Sequence, residues 1–168
     1  MMSWPLTVMY REVFGREYIR ESKNHILIQK MTYLFKALGL WLGDFLYLWD
    51  EHGPFSLEVR EQVLNETDIP SNQTENNEFR NKYPIPDDIQ IIISQIKDIK
   101  NLCPRLENGQ IMPIEDWFEL VSSIHYLKNN VVGYGGDIKA ELLSRKGAEY
   151  LYGSYVNEAL TVVGEGLN

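Results

Sequence analysis

The sequence has one cysteine, three histidines and no long apolar run. A single cysteine excludes a disulfide framework and a cysteine-rich zinc site. No apolar stretch reaches the roughly 18–20 residues that a transmembrane helix needs, and no basic start followed by a long apolar stretch marks a secretory signal. We therefore expect a cytoplasmic protein with no metal, no cofactor and no membrane partner.

Basic residues are also fewer than acidic ones: the sequence has 16 Lys and Arg and 24 Asp and Glu, which gives a net charge of -8. Residues 1–60 hold seven of each sign, so residues 61–168 carry the whole excess. An acidic body repels phosphate backbones, which makes nucleic acid the less favoured partner. The length of 168 residues and the apolar content of 44% are typical of one globular domain, spanning 1–168.

Apolar residues recur at helical spacing in several segments. The strongest series are the isoleucines from Ile89 to Ile99 and the apolar residues from Trp117 to Leu127. Between Phe45 and Trp49 the period changes to two, which predicts a short strand, with a helix as the alternative. The sum is a mainly α fold with a small β element, in a single compact helical domain of about seven helices. A helical domain with a small hairpin also permits a winged-helix-like shape.

Several local boundaries follow from capping and turn residues. A first helix is predicted over 8–21, and Asn24 is placed as the N-cap of the next helix. Ser56 is predicted to cap a helix from Leu57 to about Asn65. The segment 66–88, rich in proline, asparagine and charge, is predicted to be a polar mobile loop. Further predictions are an Asp137 N-cap, after Gly133, Gly135 and Gly136, for a helix to about Arg145, and a last helix over 148–163.

One stretch stands out as a candidate binding site. Aromatic residues cluster from Trp41 to Phe55, and a Gly-Pro turn lies at the end of the cluster. Most such clusters belong to a core, since aromatic side chains dominate buried area. A rigid turn displayed beside aromatics is also a recognition element. The candidate partner-binding residues are Trp49, His52, Gly53, Pro54, Phe55 and Ser56.

Two other kinds of site have weaker sequence support. A nucleic-acid surface would use the basic residues of the first third, which are Arg11, Arg16, Arg20, Lys23, Lys30 and Lys36. An enzyme would need a pocket that gathers a histidine with acids. The residues available for that are His52, His125, Asp50, Glu51 and Glu119. No metal-ligand spacing and no recognised catalytic motif joins them, so no catalytic residue is assigned.

Three segments together resemble a bacterial family. They are the Gln29-Lys30 helix with Tyr33-Leu34, the His52-Gly53-Pro54-Phe55-Ser56 turn, and the run from Trp117 to Lys128. This pattern resembles the YwgA-like uncharacterised family, which has a QK-x-x-YLL helix, an aromatic segment and a GPYS turn. Phe55 stands where that family favours tyrosine. The wider pattern of a helix followed by a Gly-Pro turn is similar to the Panacea domain of SocA-like antitoxins.

The resemblance implies a function rather than a reaction. Panacea domains act as chaperone-like antitoxins that hold a cognate toxin inactive. We therefore predict a non-enzymatic protein-binding module, antitoxin-like or chaperone-like, of a mobile-element or defence system. The predicted partner is a protein such as a cognate toxin, and the aromatic face would also serve a homodimer. The alternatives are a winged-helix-like nucleic-acid-binding regulator and an enzyme of unknown reaction.

Overall fold

A computed structural model of the chain describes residues 4–68, 75, 78–79, 81–132 and 136–166. The described helices and strands are α1 (Leu6–Phe14), α2 (Ser22–Ala37), β1 (Leu48–Asp50), β2 (Gly53–Phe55), α3 (Leu57–Thr67), α4 (Asp87–Asn101), α5 (Ile114–Leu127), α6 (Ile138–Lys146) and α7 (Val156–Gly166). A π-helical turn (Lys128–Val132) extends α5, and a 3₁₀ turn (Gly153–Tyr155) leads into α7. The mainly α fold with a small β element is thus confirmed.

Helix α5 is the centre of the domain. It contacts α2, α4, α6, α7 and strand β2, and it is buried on every side rather than along one stripe. Even its polar residues Ser122 and Ser123 are fully buried. A helix that is apolar or small all round belongs inside a protein. The sequence from Ile114 to Leu127 therefore places α5 in the core and makes it the surface on which the hairpin lies.

The strands form one antiparallel hairpin between α2 and α3. Leu48 pairs with Phe55, Trp49 with Pro54, and Asp50 with Gly53. The predicted strand is therefore shifted, because only its last two residues lie in β1. Phe45 precedes the strand and is buried.

Helix α1 is held at its start by a side chain that comes from α3. The Glu66 carboxylate accepts hydrogen bonds from the Leu6 and Thr7 amides (2.9 and 2.8 Å) and from the Thr7 hydroxyl (2.7 Å). It also accepts one from Gln62. Free amides at a helix start attract negative charge, so a buried glutamate replaces the cap that Pro5 cannot supply.

The position of Glu66 also shows that the predicted bounds of the loop 66–88 were wrong. The predicted loop 66–88 begins too early, because Glu66 and Thr67 belong to α3. Its other end is also displaced, since α4 already begins at Asp87. Phe79 lies in helical backbone, and its ring meets Trp4 edge-on at 5.1 Å. Residues 69–74, 76–77 and 80 of this segment lie outside the described part of the chain.

Other boundaries were predicted with mixed success. Ser56 and Asp137 cap their helices, accepting hydrogen bonds from the amides of Val59 and Ala140. Asn24 was wrong as a cap, because α2 begins two residues earlier and Asn24 is buried on the Tyr10 hydroxyl. The first helix ends at Phe14 rather than near residue 21, because Gly15 adopts a left-handed conformation (φ 69°). The last helix starts at Val156, not at residue 148.

Among the described helices, none combines the length and the apolar character that a bilayer crossing would require.

The Glu66 contacts give a first prediction. Replacing Glu66 by Gln removes the charge and turns one acceptor into a donor that faces amide donors, so we expect unfolding to need about 2 kcal/mol less. The measurement is urea denaturation. Glu61→Gln, an exposed change on the same helix, is the control and should shift stability by less than about 0.5 kcal/mol. Equal effects of the two changes would contradict this role.

Candidate functional site

The hairpin has two chemically different faces, because neighbouring side chains in a strand point in opposite directions. On the inner face, Tyr47 is buried against Tyr33, with ring centroids 5.1 Å apart. Trp49 follows on the same face, half-buried beside Tyr126. Pro54 lies opposite Trp49 on the second strand, so it belongs to the same inner face, and it is buried.

The outer face of the hairpin is apolar and exposed. Leu48 and Phe55 are directly opposed across the two strands, so they share this face. Leu46 lies just before β1, and Leu57 is the first residue of α3; both are exposed next to this pair in the chain. The Glu58 side chain accepts a hydrogen bond from the Leu46 amide (3.3 Å), which keeps the two ends of the face together. We call Leu46, Leu48, Phe55 and Leu57 the outer face.

Helix α2 fixes the turn by three hydrogen bonds. The Gln29 side chain donates to the Ser56 carbonyl (2.8 Å) and accepts from the Ser56 amide (3.0 Å). The next residue of α2 is Lys30, and its ammonium donates a hydrogen bond to the Pro54 carbonyl (2.7 Å). These contacts satisfy backbone groups that a short hairpin would otherwise leave without partners in the interior. The Gln-Lys pair of α2 therefore sets the path of the chain from Pro54 to Ser56.

On the other side, the turn touches α5 at a position where only glycine fits. Gly53 has φ +88°, which L side chains rarely adopt, and a Cβ atom there would collide with the Ser123 hydroxyl oxygen. That hydroxyl is buried and has no hydrogen-bond partner among the described residues. Its small size is thus what matters for the contact with the hairpin.

A charged cluster lies where the turn meets α5 and α6. The Glu119 carboxylate accepts hydrogen bonds from His52 Nδ1 (2.9 Å) and from the Lys146 ammonium (2.9 Å). Lys146 also donates to the Glu51 carbonyl (3.0 Å). Glu119 and Lys146 are both about nine-tenths buried, whereas half of the His52 side chain is exposed. The cluster therefore ties the hairpin tip to the core and presents the imidazole at the surface.

Basic side chains of α6 cover the inner aromatic ring. The Arg145 guanidinium lies 5.0 Å from the centroid of the Trp49 ring, and the Lys146 ammonium lies 5.8 Å from it. Such cation–π contacts stabilise the ring by about 0.5–2 kcal/mol. Trp49 is consequently held in place by α6 and Tyr126, and only part of it reaches solvent.

Lys30 is the least expected member of the site. Its side chain is only 1% exposed, and no carboxylate of the described residues lies within ion-pair distance of it. Burial lowers the pKa of Lys30 to about 7, although the nearby Glu119 and Asp50 carboxylates act in the opposite direction. The Lys146 charge lowers it further.

A cavity of about 470 Å³ opens between α2, α3 and the hairpin. The cavity extends for about 12 Å along α2, because Ser22 and Lys30 both line it and a helix rises 1.5 Å per residue. The polar lining includes His25, Gln29, Lys30, Asp50, His52 and Arg60, and the apolar lining includes Ile26, Ile28, Phe55, Val59, Val63 and Leu64. This size and this mixture are usual for small-molecule and peptide pockets.

The predicted site residues are divided by these contacts. Gly53, Pro54 and Ser56 are buried and shape the turn. Trp49, His52 and Phe55 remain accessible, but only His52 and Phe55 line the same cavity. Phe55 lies on the outer face and lines the cavity, His52 lies at the hairpin tip, and Trp49 packs on the inner face. Partner contact by these three residues stays a prediction.

The candidate nucleic-acid residues are mostly engaged elsewhere. Arg11 pairs with Glu17, and Arg20 pairs with Asp68. Lys30 is buried, so it cannot serve as a surface contact, which corrects its place in that group. Arg16 and Lys36 have neutral partners, since Arg16 donates to the Tyr10 hydroxyl and the Asn24 side chain and Lys36 donates to the Phe45 carbonyl.

The two histidines proposed for an enzyme have different surroundings. His125 is buried, with Nδ1 2.7 Å from the Tyr33 hydroxyl. Burial lowers the pKa of His125 to about 4, with a smaller effect of the Lys128 charge, so the ring is neutral at pH 7. His52 by contrast meets Glu119, one of the acids that the sequence offered for such a pair. Across the described ranges, no three His, Cys, Asp or Glu side chains are grouped so that they could hold a metal ion.

Sequence reasoning found His52 and Glu119 but missed Lys146, which completes the cluster, and the burial of Lys30. Lys146 lies 27 residues from Glu119, and no local spacing connects them. Lys30 had one usable signal, since it falls among Leu27, Ile28, Met31 and Leu34 on a helix that is buried on several sides.

The Gly53 contact gives a second prediction. Gly53→Ala should destabilise the fold by about 2–4 kcal/mol, because backbone strain adds to the collision with Ser123. Gly109→Ala is the matched control, since Gly109 has φ +85° but open space around it, and it should cost about 1 kcal/mol. Thermal or urea unfolding measures both. The double change of Gly53→Ala with Ser123→Gly should recover part of the loss, and strict additivity would disprove the contact.

The buried ammonium gives a third prediction. The pKa of Lys30 is about 7 in the folded chain, below its ordinary value of about 10.5. Between these values the unfolded chain binds more protons, so stability rises with pH. From pH 7 to 8.5 we expect wild type to gain about 1–2 kcal/mol relative to Lys30→Met. Urea denaturation at each pH tests this. Lys36→Met is the control, because it removes an exposed ammonium bound to the Phe45 carbonyl; its stability should rise with pH as steeply as that of wild type. If the stability of Lys30→Met rose with pH just as steeply, the lowered pKa of Lys30 would be refuted.

Comparisons with protein-family models, with curated proteins and with solved structures found no match to this chain. The likeness to the YwgA-like family and to the Panacea domain accordingly stays a prediction from sequence.

Proposed function

We propose that this protein is a non-enzymatic binding module, of the antitoxin-like or chaperone-like kind, whose outer face binds an apolar and basic segment of a protein partner. The observation that carries the proposal is the exposure of that face. Leu46, Leu48 and Leu57 are 62%, 61% and 54% exposed, and Phe55 adjoins them. Apolar groups on one small hairpin face remain in contact with water unless another molecule covers them.

The charge around the outer face indicates the chemistry of the partner. No lysine or arginine occurs from residue 37 to residue 59, whereas Asp44, Asp50, Glu51 and Glu58 lie within that segment. The Lys36 ammonium, bound to the Phe45 carbonyl, adds one positive charge beside it. All four acidic residues are exposed. Complementary potentials speed association and select partners. A segment with apolar side chains between basic residues fits this surface, whereas a nucleic acid does not.

The rigidity of the turn supports the same function. Gln29, Lys30 and Ser123 hold the turn from two helices, so the outer face does not have to be ordered when a partner arrives. A preorganised surface loses less conformational freedom on binding, and its affinity is higher for the same contacts. His52 at the hairpin tip then lies at the edge of the binding surface.

A fourth prediction tests the outer face. The tagged chain, isolated from its native host, should retain one stoichiometric protein partner with a basic, apolar segment. The double change of Leu48→Ser and Leu57→Ser should weaken the affinity for the purified partner by at least about tenfold, because it removes the apolar contacts. Calorimetric titration measures the affinity, and thermal melting shows that the variant is folded.

Leu151→Ser is the matched control, because Leu151 is 75% exposed and lies between α6 and α7. It should leave partner affinity unchanged. Partner binding that survives the double change, or falls equally with Leu151→Ser, would disprove the proposed surface. If the chain formed a dimer and retained no other partner, the outer face would serve self-association. If nucleic acid copurified, the nucleic-acid-binding regulator would be favoured. Both outcomes overturn the proposal.

A further inference from the structure

Lys30 places a buried amine beside a cavity, and the chemistry of that amine is independent of partner binding at the outer face. Within the described part of the chain its Nζ atom makes one hydrogen bond, to the Pro54 carbonyl, and the cavity between α2 and α3 is lined by Lys30, Asp50 and His52 together. We propose that Lys30 forms a reversible imine with a small, apolar aldehyde or ketone that enters this cavity. The inference does not rest on the proposed function.

The geometry favours nucleophilic chemistry of the amine over an ordinary structural ion pair. A buried lysine normally faces a carboxylate, since an uncompensated charge in the interior is costly. Here Nζ faces a backbone carbonyl instead. In its neutral form the amine has two N–H bonds and one lone pair. The hydrogen bond to Pro54 uses one N–H and does not use the lone pair.

Charged groups on three elements act on the protonation of Lys30, and His25, His52 and Arg60 line the same cavity. Asp50 on the hairpin and Glu119 on α5 favour the ammonium form, whereas burial and Lys146 on α6 favour the neutral amine. Burial is the largest of these effects, and it lowers the pKa of Lys30 to about 7. About half of the molecules then hold a free amine at pH 7, against well under 1% for a surface lysine. Desolvation of this kind is how proteins activate lysine for attack on carbonyls.

The reaction balances without any oxidant or reductant. The Nζ lone pair attacks the carbonyl carbon and forms the C–N bond while the C=O π bond breaks; the nitrogen then gives up one proton and the oxygen gains one, which leaves a neutral carbinolamine. Its hydroxyl takes a second proton and leaves as water, which gives the iminium ion. His52 and Asp50 line the same cavity and are the groups that supply and take up these protons. The iminium nitrogen keeps one N–H, which can still donate to the Pro54 carbonyl.

The cavity lining defines the class of carbonyl compound. Phe55, Ile26 and Val63 supply an apolar wall, so a branched or unbranched alkyl group is favoured over a hydroxylated one. The volume of about 470 Å³ accepts a compound of small-metabolite size. Isovaleraldehyde is therefore a suitable probe, and glycolaldehyde is its polar counterpart.

The fifth prediction is a trapping experiment on the full chain. The protein is incubated with isovaleraldehyde and sodium cyanoborohydride at pH 7, and the modified lysines are located by peptide mass spectrometry. The sequence has nine lysines, so eight serve as internal controls. Lys30 should be modified at least about tenfold faster than the median of the others. Its rate should level off above about pH 8, while the rates at surface lysines continue to rise.

Two controls keep the outcome decisive. Glycolaldehyde should modify Lys30 several-fold more slowly than isovaleraldehyde does, and urea-unfolded protein should show no preference for Lys30. Modification spread over the exposed lysines with Lys30 unlabelled would overturn the proposal. Equal labelling of Lys30 by both aldehydes would overturn the apolar class of the ligand. Because all readouts use wild-type protein, they hold even if Lys30 variants do not fold.

Discussion

The hairpin can lie against α5 only because glycine faces a small serine there. The absence of a side chain at Gly53 and the compact hydroxymethyl group of Ser123 let the turn approach the central helix closely. That approach brings the Pro54 carbonyl to Lys30 and His52 to Glu119. The direction of the outer face depends on the same contact, because the strands leave the turn in a fixed register.

Buried polar groups hold the turn in place. Gln29 and Lys30 are buried on α2, and Glu119 is buried on α5. Each has hydrogen-bond partners that repay part of the cost of leaving water. Networks of this kind specify one arrangement, because any displaced partner leaves a buried group unpaired. The site is therefore specific in geometry even though it is built on two strands of three residues each.

The sequence predicted the fold better than it predicted the site. The isoleucines of α4 and the apolar residues of α5 repeat at helical spacing, and Ser56 and Asp137 are caps that act within three residues. Such local signals can be read from one chain. The Gly-Pro turn was also located, although Gly53, Pro54 and Ser56 prove to be buried. The cluster around Glu119 could not be read in the same way, since His52 and Lys146 come to it from distant parts of the chain.

The buried Glu66 also bears on how the chain folds during synthesis. The amides at the start of α1 find their carboxylate 59 and 60 residues later in the chain. At about 5–20 residues per second, a ribosome needs roughly 3–12 s to make that stretch. Until then the first helix lacks its cap, and a helix of nine residues is marginal in water by itself. The N-terminal segment must therefore wait for α3, so that its folding is tied to the emergence of the first two-fifths of the protein.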